Sequence, residues 1–241
     1  MSTTLGVFLL AFATAFQPGA ENKIEKDVFK TSSGNLVIYF IGHGSLMFKF
    51  NDKTIYVDPW SRLADYGRLP KADLILITHQ HPDHLDSAAI AVVSKESTQI
   101  ILTGSAFDIL KKGTVMKNGD ARSVCGIDIE AVPAYNTTAG REQMHPKGRD
   151  NGYVIVAGKK RIYVAGDTED IPEMTALKNI DIAFLPMNQP YTMRPDQVVD
   201  AANKIHPKIL YPYHFGDTDT AELTKLLSKN KHIEVRLRSL K

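Results

Sequence analysis

Cysteine is almost absent: the 241-residue chain has one, Cys125. That excludes an internal disulfide and any CxxC-type zinc or redox site, so a metal here must be held by histidine and carboxylates. Cys125 itself is expected in the core rather than in chemistry. Charge of one sign is not in excess either. Lys and Arg number 29 against 27 Asp and Glu, a net of +2, which gives no strong field for a polyanion, and no nucleic-acid partner is expected. Low-complexity tracts and Pro/Gly/Ser-rich linkers are missing, so no domain boundary is marked, while 43 % hydrophobic residues suffice for one sizeable core. Long hydrophobic runs are missing too. LGVFLLAFATAF, Leu5 to Phe16, falls short of the ~20 residues of a spanning helix, so no integral membrane span is expected. Ala13-Thr14-Ala15 offers a small-x-small cleavage site. Residues 1–20 are read as a signal peptide or, since no Lys or Arg precedes Lys23, as an apolar segment packed on the domain. Cleavage would place the protein in the periplasm or outside the cell, and retention in the cytoplasm. Residues 21–241 are expected to form a single domain.

What the chain does have is a succession of short, β-branched apolar runs bounded by turn residues. Leu36–Ile41, Leu46–Phe50, Thr54–Val57, Leu74–Ile77, Gln99–Leu102, Ile127–Val132, Tyr153–Ala157, Arg161–Ala165, Ile182–Leu185 and Ile209–Tyr211 are expected strands. Ser87–Val93, Ser105–Lys112, Pro195–Lys204 and Ala221–Lys229 are expected helices. The alternation implies an α/β or mixed class. Two stretches echo each other: DKTIYVDP followed by ADLILITH, and KKRIYVAGDT followed by IDIAFLPM. Ile55 to Asp73 is 18 positions and Ile162 to Asp181 is 19. Two pseudo-repeated halves are expected, with the loops after corresponding strands meeting at one site.

The densest chemistry lies in THQHPDHLD, Thr78 to Asp86, with three of the eight histidines. His79 and His81 leave the expected strand LILIT two positions apart, so both imidazoles can point the same way, and the following turn can carry Asp83 and His84 to a neighbouring point. One loop could thus serve two adjacent metals, since imidazole and carboxylate suit zinc, iron or manganese. Two ions need further ligands. His145 sits in the polar loop GREQMHPKGRDNGY, Asp167 ends RIYVAGD beside Gly166, and His214 follows KILYP; all three fall at strand ends, where sites in open α/β sheets form. His206 and His232 are expected on the surface.

HxHxDH, then a lone His, then GDT, then a His after a strand resembles the metallo-β-lactamase superfamily of binuclear metallohydrolases. GHGS (Gly42 to Ser45), VDPW (Val57 to Trp60), AGDT (Ala165 to Thr168) and PYHFG (Pro212 to Gly216) are similar to the branch containing L-ascorbate-6-phosphate lactonase and N-acyl-phosphatidylethanolamine phospholipase D. The resemblance spans about Asn35 to Gly216 and implies an αββα sandwich of two mixed β-sheets flanked by helices. It also implies two divalent ions, zinc first with manganese or iron as alternatives. His79, His81 and His145 would hold one, Asp83, His84 and His214 the other, with Asp167 bridging. A metal-bridging hydroxide would be the nucleophile, with Asp83 or a metal-bound water delivering a proton to the leaving group. Asp58 is a candidate to orient a ligand histidine, or a turn residue before Pro59. His43 faces the substrate, orients a ligand, or satisfies a turn.

Departures narrow the activity. Superfamily β-lactamases usually replace the second-metal histidine or the bridging aspartate, whereas Asp167 fills the bridge here. Flavodiiron oxidoreductases have Glu where this chain has His81. Glyoxalase-type enzymes usually carry glycine soon after the motif, where this chain has Leu85-Asp86-Ser87, and the length leaves no room for an RNA-clamping domain. A small-molecule substrate is expected. Arg141, Lys147 and Arg149 around His145, with Tyr191, Thr192 and Arg194, form a candidate site for a phosphate or carboxylate, or a solvated loop. The sequence thus points to a metal-dependent hydrolase of ester-like bonds: lactone or carboxylic ester first, phosphodiester second, with a non-catalytic metal-binding homologue as the third reading. It does not fix the oligomeric state, a homo-oligomer among the options.

Overall fold

The computed structural model describes residues 24–241, and the N-terminal apolar segment lies outside the described residues. The first sheet takes β1 (Glu25–Thr31), β2 (Gly34–Gly42), β3 (Ser45–Phe50), β4 (Lys53–Val57), β5 (Leu74–Leu76), β6 (Gln99–Leu102) and β7 (Thr114–Val115) in that order. The second takes β8 (Ala121–Val124), β9 (Ile127–Ala134), β10 (Asp150–Ala157), β11 (Lys160–Val164), β12 (Ile182–Pro186), β13 (Ile209–Tyr213) and β14 (Glu234–Val235), again in chain order. Both sheets follow one pattern. The first four strands pair antiparallel through hairpins, and each later strand pairs parallel to its predecessor.

The parallel joins need crossovers, and four helices supply them or pack beside them: α1 (Ser87–Val93), α2 (Gly104–Leu110), α3 (Pro195–Ile205) and α4 (Thr220–Leu227). Strand periodicity sorts the side chains into layers. Along β5 and the residue after it, Leu74 and Leu76 face the opposite sheet, while Ile75 and Ile77 pack under Ala89, Ile90 and Ala106 of α1 and α2. Both faces are buried, so LILI reads as an unbroken apolar run. The second sheet repeats this: Ile182 and Phe184 enter the inter-sheet core, Ala183 and Leu185 lie under Val198, Ala201 and Leu223 of α3 and α4. The layers are helix, sheet, sheet, helix, the αββα sandwich expected. Among the described residues no helix is long and apolar enough to cross a membrane.

The expected strands and helices are all present, with ends shifted by a few residues. Cys125 departs from expectation. It is only partly buried and occupies a left-handed position (φ 55) in the turn between β8 and β9, its thiol 3.6 Å from the Asp73 carbonyl. His206 and His232 are exposed, as expected.

Candidate metal centre

One edge of the sandwich collects the residues that follow parallel strands: Asp58 after β4, His79 after β5, Asp167 after β11 and His214 after β13. A tight turn then folds the motif back on itself, the His84 and Leu85 amides both donating to the His81 carbonyl at 2.9 and 2.8 Å. His145 arrives from the loop between β9 and β10, held where the Asn136 amide donates to its carbonyl at 2.9 Å.

These side chains form two abutting clusters. His79, His81 and His145 bring one ligand atom each into the first, with His79 Nε2 and His81 Nδ1 3.1 Å apart. Asp83, His84 and His214 meet in the second, where His84 Nε2 and His214 Nε2 lie 3.7 and 3.5 Å from Asp83 Oδ2. Asp167 stands between them. Its Oδ1 is 3.5 Å from His84 Nε2, and its Oδ2 is 3.5 Å from both His145 Nε2 and His214 Nε2 and 3.9 Å from His79 Nε2.

The electrostatics ask for positive charge at this point. Burial, reinforced by His84, His145 and His81, pushes His79 well below the ordinary imidazole range, which keeps its imidazole neutral. Burial would push His84 down as well, but the carboxylates of Asp167, Asp58 and Asp83 outweigh it and push it up to about 10. Burial likewise opposes ionisation of Asp167 and Asp83, yet His214 and its neighbours outweigh it and hold both carboxyls below their ordinary range. His84 Nε2, His214 Nε2 and Asp167 Oδ1 are buried without a hydrogen-bond partner. An unsatisfied buried polar atom costs about 1–3 kcal/mol, and three clustered among candidate ligands fit a bound metal.

Residues 37–214 match the family model described as the beta-lactamase superfamily domain. The chain belongs to that superfamily. A metal-dependent hydrolase of Pelotomaculum thermopropionicum is 26 % identical, covering 84 % of this chain and 96 % of its own. One of Staphylothermus marinus is 30 % identical, covering 83 % and 94 %. Among solved structures, a Parabacteroides distasonis protein described as a metal-dependent hydrolase is 55 % identical with a TM-score of 0.89, covering 90 % of this chain and 100 % of its own. A metallo hydrolase of Ignicoccus hospitalis, 23 % identical with a TM-score of 0.72 over 85 % and 95 % of the two chains, shares the fold. The present chain is a metal-dependent hydrolase with the superfamily's sandwich.

Around the centre of this hydrolase, Asp58 is buried and its Oδ2 lies 2.8 Å from His84 Nδ1, while Oδ1 accepts from the Thr78 amide at 2.8 Å. Its position fits orienting a ligand. Asp150, which sequence reasoning missed, does the same for the other cluster, with Oδ2 3.0 Å from His145 Nδ1. Arg149 grips that carboxylate through Nε at 2.7 Å and Nη2 at 2.9 Å, so it faces Asp150 rather than a substrate. Lys147 turns outward to Glu173 at 2.9 Å, and Arg141 to Gln189 at 2.5 Å. Arg194 pairs with Asp196. Thr192 is buried and accepts from the Asn188 amide at 2.8 Å, which closes its own turn. Tyr191 is exposed. His43 lies against the second cluster, its Nε2 3.1 Å from Asp83 Oδ2.

Proposed function

We propose that the hydrolase holds two divalent cations, zinc first, one on His79, His81 and His145 and one on Asp83, His84 and His214, with Asp167 shared. We further propose that it opens an ester-like bond of a small molecule, a lactone or carboxylic ester, as the resemblance to the lactonase-containing branch suggests. The observation that carries the binuclear part is Asp167: one buried carboxylate presents its two oxygens to imidazoles of both clusters, 3.5 Å away on either side. A cation pair, when bound, lowers the pKa of a water toward neutrality and polarises the scissile bond.

The protein's own groups supply the rest. Asp58 and Asp150 fix the imidazole orientations of His84 and His145 before substrate arrives, so no reorganisation is needed in the transition state. Asp83 is the more open carboxylate of the centre, 31 % exposed against 4 % for Asp167. Asp83, or a water at the centre, would relay the proton of the attacking water to the leaving oxygen. A second reading, phosphodiester cleavage, draws on Arg62: this exposed cation lies over the Trp60 ring at 5.7 Å, and Trp60 abuts His43 at 5.1 Å, so a cation stands two residue contacts from the second cluster.

A substrate panel on metal-loaded protein tests the choice. Turnover of a simple lactone or p-nitrophenyl acetate well above that of bis(p-nitrophenyl) phosphate is expected. Turnover of the phosphodiester alone would replace the first reading by the second.

A further inference from the structure

The GHGS turn does more than lie near the site. His43 occupies left-handed backbone at φ 48, rare for a residue with a side chain, between Gly42 and Gly44. A Cβ on Gly44 would stand 2.9 Å from His84 Cε1, so glycine there lets the turn close onto that ring. The His43 carbonyl accepts from the His214 amide at 3.1 Å, and the two imidazoles lie 3.7 Å apart between centroids with their planes tilted by 38°. Ser45 Oγ donates to the carbonyl of Asp58, the residue whose carboxylate meets His84. One turn therefore touches Asp83, His84 and His214, directly or through a single residue. A turn that merely satisfied itself would need none of these contacts.

Of the imidazoles around Asp83 Oδ2, that of His43 comes nearest: 3.1 Å, against 3.5 Å for His214 and 3.7 Å for His84. Ligand atoms of His43, Asp83, His84 and His214 all lie within 4.8 Å of one another. We infer that His43 is a fifth protein ligand of the second cation, beside Asp83, His84, His214 and the shared Asp167, an assignment that rests on the binuclear reading above for the remaining ligands. The two half-sites are then unequal. The first offers three imidazoles plus Asp167, a set suited to four-coordinate zinc. The second offers three imidazoles, Asp83 and Asp167, five donors before any water, a higher coordination number that zinc reaches in catalytic sites.

The test is cobalt titration of the wild-type chain and of His43→Asn, followed by visible absorption and by elemental analysis after gel filtration. Asn is chosen because it tolerates left-handed backbone and is too short to replace the imidazole. Unchanged far-UV circular dichroism and melting of the metal-free variant confirm that it folds. The expected result is that the first equivalent binds as in the wild type, while the second weakens by at least about tenfold and its absorption changes. A second equivalent unaltered in affinity and spectrum would overturn the assignment and leave the binuclear reading standing. A wild-type chain that takes one cation, released by His43→Asn, would do the reverse. A wild-type chain that takes none overturns both. Independently of any variant, pulsed EPR of a paramagnetic ion in the second half-site of the wild type should count three imidazoles, and two would overturn the assignment.

Discussion

Three residues at the metal centre that are not glycine, His43, Asp58 and His214, hold left-handed backbone with φ of 48, 44 and 48. Such conformations cost on the order of 1–3 kcal/mol each and persist where the surroundings over-determine them. Asp58 is pinned by Thr78 and His84, and the His214 amide donates to the His43 carbonyl, which ties those two residues together. Asp58→Ala should therefore weaken cation binding about 10–100-fold without removing a ligand; competition with a chromophoric chelator measures it, and an unchanged affinity would make Asp58 a turn residue only. The candidate ligands were legible in the sequence because HxHxDH packs four of them into six positions and the others end strands. Asp150 was not. It hides in GRDNGY as one polar loop residue among several, and only the fold shows that it opens β10 beneath His145. The basic residues of that loop left an anion site and a solvated loop both open, and Arg149, Lys147 and Arg141 have partners within the protein, something that composition cannot show.

Among elements, the echo between the two halves of the sequence has a physical reason at Asp73 and Asp181. Asp73 Oδ2 accepts from the Thr54 amide at 2.9 Å and Asp181 Oδ2 from the Arg161 amide at 3.0 Å, so each fastens one parallel strand to the start of its neighbour. A lysine from a later segment closes on each carboxylate, Lys95 at 2.8 Å and Lys208 at 2.6 Å. Helix α1 illustrates a second device. Asp86 Oδ1 accepts from the Ala88 and Ala89 amides at 2.9 and 3.1 Å, and Oδ2 from the Ser61 amide at 2.8 Å, tying the end of the histidine loop to the segment after Trp60. Asp86→Ala should cost about 1 kcal/mol, read as a lower urea midpoint with an unchanged slope. A null effect would mean that packing of Ile90 and Val93 alone fixes the helix. Strands with apolar alternation were legible, whereas β1, β7, β8 and β14 were not. EKDVFKT is charged and largely exposed, ARSV offers no apolar face, and two-residue edge strands exist only because a sheet is already there to pair with.

At the scale of the whole molecule, Asp27 of β1 latches the first sheet to the second. Its carboxylate accepts from Arg238 Nη2 at 2.7 and 2.8 Å, from Arg236 Nη1 at 3.3 Å and from the Tyr211 hydroxyl of β13. Burial works against its ionisation, but Arg238, Tyr211 and Arg236 outweigh that and hold the carboxyl below its ordinary value of 3.8. A carboxyl with a depressed folded-state pKa contributes stability that is present above the unfolded value and is lost as pH falls through the folded one. The stability difference between wild type and Asp27→Asn should accordingly be full at neutral pH and shrink below about pH 4 in urea titrations; a difference independent of pH would show that the latch is not ionic. The central claim, a shared-carboxylate metal centre, meets its most direct test in elemental analysis of protein purified without chelator, wild type beside Asp167→Ala. About two equivalents of metal are expected in the wild type, and in the folded variant loss of one of them with most of the turnover. Full activity with a single metal per chain would contradict it.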